Sequence, residues 1–389
     1  MGFPKLIVKS GKDKSLLRFH PWVFSGAIKK IKDDSGREVT PKNGDIIEVV
    51  DNKDDFLGIA HYQEEGSISA RVFSFKKVEV NEAFWLDKVR TAYQLREKIG
   101  LTDNSLTNAY RLVFAEGDGL PGLIMDYYDG VVVIQTGCPG MNRLKPTLTE
   151  VLKQLYTDRL KAVYDKDTNT YIYTTINQSE LIVSEYGSKM YVDWESGQKT
   201  GFFIDQRENR KLLADFSKGK RVLNTFCYTG GFSVSALQGG ADFVCSVDSS
   251  AKAIELTKRN IELNGFTMHD AVVSDTQKYL IDTQEKYDVI VLDPPAYAKN
   301  KNVMHNAVQG YKRLNASALE KINKGGILFT FSCSQVVNRH LFYNTIMAAA
   351  ITVGREVKVL HHLSQPADHP VNIYHPEGEY LKGLVLLVE

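Results

Sequence analysis

The sequence has few of the features that define several large classes of protein. Among its 389 residues there are four cysteines, Cys138, Cys227, Cys245 and Cys333. They form no CxxC pair and have no histidine at ligand spacing, which argues against a structural zinc site and a disulfide framework. With 29 Gly and 11 Pro, the chain is neither collagen-like nor disordered by composition. We therefore expect a globular protein that holds no metal.

Long apolar runs and an excess of one charge are also missing. The longest apolar runs, such as Val131 to Ile134 and Leu384 to Val388, are strand-sized and far shorter than the ~20 residues of a membrane helix. Lysines interrupt the apolar content of the first residues, unlike a signal peptide, so we expect a cytoplasmic protein that stays off the membrane. With 48 Lys and Arg against 47 Asp and Glu, bulk charge identifies no partner.

The length predicts more than one domain, because one hydrophobic core seldom supports a chain of 389 residues. Residues 1–75 alternate short β-rich runs with Gly, Asn and Asp turns, which is typical of a small β-barrel. A helix is expected there only near Pro21 to Ala27. Residues 1–32 carry eight Lys or Arg and one acid. This predicts either a basic face for phosphate contacts or an ordinary solvated lysine face, and the sequence favours neither.

Two further domains are expected to follow. Apolar residues recur at helical spacing from Asn81 to Ile99, and strands and a helix near Leu144 to Leu160 come next. Residues 76–195 are thus predicted to form an α+β middle domain. Residues 196–389 alternate apolar strands with amphipathic helices, which predicts an α/β domain with a mostly parallel sheet. Ligands of such sheets bind beyond the carboxyl ends of the strands.

The first strand of this sheet leads into a tight turn that contains glycine. Phe226, Cys227 and Tyr228 precede Gly230, and a helix opens directly afterwards. Glycine lets the backbone approach a ligand closely, and the new helix presents unpaired N–H groups. A full GxGxxG motif is absent, so a dinucleotide is a weak interpretation. An ordinary connection between a strand and a helix stays an open alternative.

Acidic residues follow the next two strands. Asp248, with Ser249 after it, stands where a carboxylate can accept both ribose hydroxyls of an adenosine-like ligand. Asp275 stands where a side chain can meet an adenine amino group. A helix cap is the alternative for Asp248, although Ser249 or Ser250 could serve that helix equally well. Together, the turn and the two acids predict a nucleoside pocket without a diphosphate clamp, as S-adenosylmethionine requires.

The following strand ends at Asp293, and Pro294, Pro295, Ala296 and Tyr297 come next. Two prolines fix an extended turn and leave the Asp293 carboxylate free to project into the crevice. In methyltransferases that modify exocyclic amines, an aromatic residue follows the two prolines directly and stacks on the base. Ala296 intervenes here before Tyr297, which counts against amine methylation.

Cys333 stands at the end of the next strand, between Ser332 and Ser334. Carbon 5 of a pyrimidine is not nucleophilic enough to take a methyl group unaided. A thiolate that adds to carbon 6 makes it nucleophilic, and later elimination frees the enzyme. A buried free thiol is the competing interpretation of Cys333, and its position in the sequence does not decide between the two.

Several segments resemble the RlmI-type 23S rRNA cytosine-5 methyltransferases, and the similarity runs essentially end to end. They are AEGDGLPGLIMDYY (Ala115 to Tyr128), QKTGFFIDQRENR (Gln198 to Arg210), LNTFCYTGGFS (Leu223 to Ser233), the DPPAY and FSCS segments, and QPADHPVNIYHPEGEYLKG (Gln365 to Gly383). The resemblance implies S-adenosylmethionine as cofactor and a Rossmann-like class I methyltransferase domain. It also implies that an N-terminal PUA domain and an α/β middle domain precede that domain.

The resemblance and the residues together give each candidate a role. We expect Cys333 to attack carbon 6 of a flipped cytosine, while Asp293 and the Pro294 carbonyl hold the edge of the base. Gln206 or Arg207 is expected at the methionine end of the cofactor, and Asp205 is expected only to cap a helix. The other expected cofactor contacts are Phe226, Cys227, Tyr228, Gly230, Asp248, Ser249, Asp275 and Asp293. The other expected substrate contacts are Pro295, Tyr297, Lys299 and Lys301.

The implied partner is 23S rRNA, either free or in an assembling large ribosomal subunit. Two alternatives stay open, an amine methyltransferase acting on guanine or adenine and a non-catalytic RNA-binding or ribosome-assembly factor. The base that removes the carbon 5 proton is unassigned, with water or Asp293 as candidates. A homodimer is compatible with the sequence, but no residue indicates one.

Overall fold

A computed structural model describes residues 2–178, 180–298 and 300–389, without the side chain of Lys301. Two of the expected substrate contacts, Lys299 and the Lys301 side chain, therefore lie outside the described residues. The described strands fall into a six-stranded sheet, a five-stranded sheet, a two-stranded hairpin and a seven-stranded sheet. They follow one another along the chain in that order.

The N-terminal unit is built on the six-stranded sheet. Its strands are β1 (Lys5–Val8), β2 (Trp22–Phe24), β3 (Ile28–Lys32), β4 (Ile46–Val50), β5 (Phe56–Tyr62) and β6 (Ile68–Ser74), in the order β2-β6-β5-β4-β1-β3. Bulges interrupt several of the strand pairs, which bends the sheet around an apolar core. The helix expected near Pro21 to Ala27 is wrong, because Trp22 to Phe24 pairs with β6 and only one 3₁₀ turn follows.

The middle unit combines the five-stranded sheet with three helices and the hairpin. Its elements are α1 (Glu82–Lys98), β7 (Ala109–Phe114), β8 (Leu123–Tyr128), β9 (Val131–Thr136), α2 (Pro139–Arg143), α3 (Lys145–Tyr156), β10 (Ala162–Asp165), β11 (Thr170–Thr174), β12 (Glu180–Glu185) and β13 (Ser188–Asp193). The sheet order is β11-β10-β9-β8-β7. Helix α1 begins where predicted, because the Asn81 side chain accepts a hydrogen bond from the Phe84 amide.

The C-terminal unit carries the seven-stranded sheet. Its elements are α4 (Arg207–Asp215), β14 (Arg221–Thr225), α5 (Gly231–Gln238), β15 (Phe243–Asp248), α6 (Ala251–Leu263), β16 (His269–Val273), α7 (Thr276–Asp282), β17 (Tyr287–Leu292), α8 (Met304–Lys321), β18 (Ile322–Ser332), α9 (Arg339–Val353), β19 (Val357–Ser364) and β20 (Lys382–Val388). The strand order is β16-β15-β14-β17-β18-β20-β19, and β20 runs antiparallel to both of its neighbours. The predicted α/β class is confirmed.

Apolar strands that are buried on both faces explain why this sheet lies between two layers of helices. Along β14 and β17, Val222 and Val289 pack on one face, while Leu223 and Ile290 pack on the other. All four side chains are fully buried. Such runs need cover on both sides, because side chains alternate between the faces of a strand. Helices α4 and α5 contribute to one of the two cores, and α8 and α9 contribute to the other.

The three units share cores and polar contacts. Ile59 and Phe73 of the first sheet join the core of the middle unit, and Trp194 joins the core that lies beneath β14. His375 and Glu377 of the segment before β20 lie beside His20 of the first unit. One ring nitrogen or carboxylate oxygen of each residue lies within 4.8 Å of those of the other two. Across the described residues, no helix is both long and apolar enough to span a membrane.

Candidate functional site

The carboxyl ends of four parallel strands bring the predicted residues to one edge of the large sheet. Strands β15, β14, β17 and β18 are consecutive neighbours and run parallel. Asp248 ends β15, the glycine turn follows β14, Asp293 follows β17, and Cys333 follows β18. The order of the strands therefore gathers residues that are more than a hundred positions apart in the chain.

The turn after β14 has an unusual backbone. Phe226, Tyr228 and Gly230 all have positive φ, with values of 53°, 49° and 77°. A Cβ at Gly230 would lie 2.7 Å from Thr257 Cγ2, so this position requires glycine both for its conformation and for its contact. Cys227 is buried beside Thr257, with 3.6 Å between Sγ and Oγ1, and burial raises the pKa of its thiol to about 12. Cys227 is therefore part of the wall of the turn.

Asp248 holds this turn and stays partly exposed. Its carboxylate accepts hydrogen bonds from the Tyr228 amide at 3.0 Å and from the Ser250 amide at 2.9 Å. Ser250, not Asp248, caps α6 by accepting from the Ala253 amide. Asp275 is exposed and caps α7 by accepting from the Lys278 amide. The carboxylate of Asp248 is thus oriented toward the turn, whereas that of Asp275 is occupied at a helix start.

The carboxyl group of Asp293 is held in an environment that favours its protonated form. Burial, and secondly the charge of Asp205, raise the pKa of Asp293 to about 7. The charge of Lys199 and a hydrogen bond from Gln206 act in the opposite direction. Near neutral pH, this carboxyl group can therefore either donate or accept a proton, as a general acid or base must.

Asp205 is buried beside Asp293, a position that the sequence did not predict. Its Oδ2 accepts hydrogen bonds from Lys199 Nζ at 3.0 Å and from the Tyr380 hydroxyl at 2.6 Å, while Oδ1 has no partner in the described residues. The expectation that Asp205 only caps a helix is wrong, because its side chain makes no cap hydrogen bond with α4. No local sequence pattern could indicate this position, because Tyr380 lies 175 positions away in the chain.

Gln206 and Arg207 differ in what they can still bind. Gln206 is buried, and its Oε1 accepts a hydrogen bond from Asn209 Nδ2 at 2.6 Å. Both terminal nitrogens of Arg207 donate to the Asp368 carboxylate, at 2.8 and 3.0 Å. The next basic residue, Arg210, is likewise paired with Glu185 at 2.6 Å. Arg207, which was expected near the cofactor, and Arg210 are therefore both engaged in buried ion pairs.

Cys333 differs from the other cysteines because it is partly exposed, whereas Cys138, Cys227 and Cys245 are buried. Burial, and secondly the charge of Asp293, raise the pKa of the Cys333 thiol above its ordinary value, while Lys199 lowers it. The reactive form of cysteine is the thiolate. A thiol at this position therefore needs a nearby positive charge before it can act as a nucleophile.

Lys382 is a second residue that sequence reasoning missed. It lies at the start of β20, opposite Ser332 in the strand pairing, and its Nζ donates to the Ser334 carbonyl oxygen at 2.7 Å. The residue is only 4% exposed. Burial lowers the pKa of its amine to about 8, and the charge of Cys333 acts in the opposite direction. No local sequence pattern could indicate this contact, because Lys382 and Ser334 are 48 positions apart in the chain.

The segment after Asp293 is folded back against α8. The Tyr297 ring packs on Tyr311, with 4.6 Å between the ring centroids, and also contacts Gly310. Pro294 is buried and Pro295 is exposed. The Ser334 hydroxyl donates to the Ala298 carbonyl oxygen at 2.7 Å, which ties this segment to the one that carries Cys333.

The residues at this edge fit S-adenosylmethionine. The strained turn and the Asp248 carboxylate stand where a nucleoside would lie in a sheet of this order. One buried oxygen at this edge, Asp205 Oδ1 beside Asp293, has no partner in the described residues. Buried polar atoms without a partner are rare in folded proteins, and a bound ligand with N–H donors would satisfy this one.

The fold and the site together define a class I methyltransferase. A family model for S-adenosylmethionine-dependent methyltransferases matches residues 159–372, and a model for PUA-like domains matches residues 6–75. A ribosomal RNA large subunit methyltransferase I from Enterobacter sp. is 38% identical over 99% of both chains. The chain therefore belongs to the family of ribosomal RNA large subunit methyltransferase I, and its cofactor is S-adenosylmethionine.

Two solved structures are similar over nearly the whole chain. A Streptococcus mutans protein described as a SAM-dependent methyltransferase is 25% identical, with a TM-score of 0.84, and the match covers 98% of this chain and 99% of that one. A second, SMU.776, described as a methyltransferase complexed with SAH, is 26% identical with a TM-score of 0.85 and the same coverage. The expected combination of a PUA domain with a methyltransferase domain is confirmed.

Proposed function

We propose that this enzyme methylates carbon 5 of a cytosine in the RNA of the large ribosomal subunit, with Cys333 as the nucleophile. The names of its relatives support the class of RNA. The observation that carries the choice of atom is the position of Cys333, a partly exposed thiol at the end of a central strand and beside Asp293. An enzyme that methylates an exocyclic amine has no use for a thiol there.

The cofactor is proposed to lie along the ends of β14 and β15. Asp248 would accept the ribose hydroxyls, while Ser249 and the turn from Phe226 to Gly230 would enclose the nucleoside, with Asp275 near the adenine. For the methionine end we propose Gln206 over Arg207, because the Arg207 guanidinium is already paired with Asp368. Asp205 joins the proposal, since its free oxygen could accept from an ammonium group.

The chemistry follows from the two groups at the strand ends. The Cys333 thiolate adds to carbon 6 of the base, the C5=C6 π electrons form a C4=C5 double bond, and the electrons of the former C4=N3 double bond take a proton from Asp293 at N3. Carbon 5 then receives the methyl group that bound S-adenosylmethionine supplies. A base then takes the carbon 5 proton, N3 returns its proton to the Asp293 carboxylate, and the thiolate departs from carbon 6, which restores the ring and frees the enzyme. A carboxyl with a pKa of about 7 is suited to the proton transfer.

The RNA is proposed to reach this edge as a flipped nucleotide, because a stacked base cannot present carbon 6 to a thiol. The Pro294 carbonyl would hold the amino edge of the base, and Pro295, Tyr297, Lys299 and Lys301 would line its entry. We propose residues 1–75, 76–195 and 196–389 as the three domains, with the first one gripping the RNA backbone. A free RNA and an assembling subunit are both compatible with this arrangement, as are a cytoplasmic location and a homodimer.

The decisive test is methyl transfer from labelled cofactor to unmodified large-subunit rRNA. The product should be digested to nucleosides and identified by mass. We expect 5-methylcytidine from the wild type, and none from the Cys333→Ala variant. The Cys138→Ala variant is the matched control, because Cys138 is buried in the middle unit. Cofactor affinity of Cys333→Ala should stay within about twofold, since the thiol is not needed for binding.

Each rival function predicts a different result. A methylated guanine or adenine, with full turnover by Cys333→Ala, would identify an amine methyltransferase and discard the nucleophile. Tight RNA binding by the wild type without any transfer of label would identify a non-catalytic binding or assembly factor.

A further inference from the structure

The surroundings of Cys333 oppose its ionisation. Asp293 and Asp205 both raise the pKa of the thiol, and only Lys199 among its principal charged neighbours lowers it. The Lys199 ammonium, however, already pairs with the Asp205 carboxylate at 3.0 Å. A partly buried thiolate beside two carboxyl groups is costly unless another positive charge offsets it. Asp293 follows β17, one neighbour of β18, so such a charge can come from the other side of β18, where β20 pairs with it.

Lys382 lies on that other side. Its backbone pairs with Ser332, and its Nζ donates to the carbonyl of Ser334, so the side chain spans the strand end where Cys333 lies. Within the described residues, Lys382 forms no ion pair with a carboxylate, and Ser334 is its hydrogen-bond acceptor. The two charged groups that act on it from the flank, Arg339 and Glu379, are paired with each other.

We propose that Lys382 is the counter-charge of Cys333 and takes the proton of its thiol. The S–H bond breaks, its electron pair stays on sulfur, and the amine lone pair binds the proton, so the pair changes from neutral to ionic without any loss of atoms. When the thiolate leaves carbon 6 at the end of the reaction, the ammonium group again stabilises it. This role rests on the proposed function, in which Cys333 is the nucleophile.

The ionisation of the neighbouring groups agrees with this role. Burial lowers the pKa of Lys382 to about 8, so a fraction of the amine is neutral at physiological pH and can accept a proton. Tyr311 also faces Cys333, but burial raises its pKa to about 12, and its hydroxyl accepts from Ser332. Tyr311 therefore remains neutral and does not compete for the proton.

The test is the pH dependence of Cys333 alkylation by iodoacetamide, followed by peptide mass mapping. It uses the full-length enzyme without RNA, so it does not depend on turnover. We expect Lys382→Met to slow alkylation of Cys333 at pH 7.5 about tenfold, which corresponds to about one pKa unit. Lys382→Arg, which keeps the positive charge, should stay within about threefold of the wild type. Cys138, Cys227 and Cys245 are buried and serve as internal references.

Two further variants keep the test decisive. Lys358→Met is the matched control, because Lys358 is an exposed lysine of the neighbouring strand β19 whose amine pairs with Glu389. It should leave the alkylation rate and the methyl transfer unchanged. Lys382→Gln removes the charge but retains an N–H donor, so it replaces Lys382→Met if that protein fails to fold.

The outcomes separate this inference from the proposed function. Equal alkylation profiles for the wild type and both neutral variants would overturn the role of Lys382, even if Cys333 proved essential for methylation. A profile shifted to higher pH supports the pairing, and methyl transfer by Lys382→Gln should then show the same shift. If Cys333→Ala retained methyl transfer, the proposed function would fail, whereas a shifted alkylation profile would still establish the charge pair.

Discussion

Asp293 links the pH dependence of stability to that of the proposed reaction at the scale of one residue. Burial raises its pKa from the ordinary 3.8 to about 7 in the folded protein. Between these two values, the folded state binds more protons than the unfolded state. The contribution of Asp293 to the free energy of unfolding therefore falls as the pH rises from about 4 to about 7, and stays low above it.

We expect Asp293→Asn to remove this fall in the free energy of unfolding with rising pH. The melting temperature of the variant should exceed that of the wild type at pH 8, where the carboxylate is charged, and the difference should shrink toward pH 4.5. Thermal unfolding followed by circular dichroism at both values measures it. Asp158→Asn, an exposed carboxyl in the turn after α3, is the control. Parallel pH dependence for all three proteins would contradict the raised pKa of Asp293.

The same substitution should change the alkylation rate of Cys333 in the direction opposite to that expected from the loss of Lys382. The charge of Asp293 raises the pKa of this thiol, so Asp293→Asn should accelerate its alkylation at pH 8 by about threefold or more, since one pKa unit corresponds to a tenfold change. Methyl transfer should nevertheless fall, because the amide cannot give N3 a proton. Slower alkylation by the variant would show that the carboxylate acts on the thiol in some other way.

At the scale of single elements, the sequence predicted where the parallel strands of the large sheet end. Apolar runs and turn residues are local signals, so Asp248, Asp293 and Cys333 could be placed on one edge. The hydrogen-bonding partners of the residues at the candidate site could not be predicted. Lys382 and Asp205 meet their partners across strand pairs and loops that only the tertiary fold brings together.

Local signals failed where an element was short or was stabilised by pairing. Strands β10 and β11 were not predicted, because each is a brief run of residues next to turns and gains its stability from the five-stranded sheet. Strand β2 was mistaken for part of a helix for the same reason, since its three residues are held by β6.

The turn after β14 is the element whose geometry is most sensitive to one methyl group. Gly230→Ala places a non-glycine residue at φ 77° and a Cβ at 2.7 Å from Thr257 Cγ2. We expect a loss of stability of about 1–3 kcal/mol, and a cofactor dissociation constant raised at least tenfold, an effect of about 1.4 kcal/mol. Chemical denaturation and calorimetric titration with S-adenosylmethionine measure the two effects.

Two variants separate strain from contact in this turn. Gly265→Ala is the matched control, because Gly265 has a similar φ of 74° but open space around its Cβ. It should lose about 1–2 kcal/mol of stability and retain cofactor affinity. Adding Thr257→Ser to Gly230→Ala removes the clashing methyl group and should restore part of the affinity. A double variant no better than the single one would show that the backbone strain alone is decisive.

At the scale of the whole molecule, one buried carboxylate joins three parts of the chain. Asp368, in the segment between β19 and β20, accepts from both terminal nitrogens of Arg207 on α4 and from the Arg111 amide on β7. Its own carbonyl oxygen accepts from Arg96 on α1 at 2.6 Å. The middle unit, the start of the methyltransferase unit and the segment that leads to Lys382 therefore share one polar junction.

This junction should make the two units unfold together. Burial alone would raise the pKa of Asp368, but the charges of His369 and Arg207 hold it well below its ordinary range. Asp368→Asn leaves the Arg207 charge buried without its partner, an effect worth about 3–5 kcal/mol. We expect this loss in urea unfolding, together with a transition that splits into two steps and a weakened cofactor affinity, because Gln206 adjoins Arg207.

Glu285→Gln breaks an exposed ion pair with Arg221 and should cost less than about 1 kcal/mol. If Asp368→Asn unfolded in one step at the midpoint of this control, the junction would be a local contact that does not couple the two units.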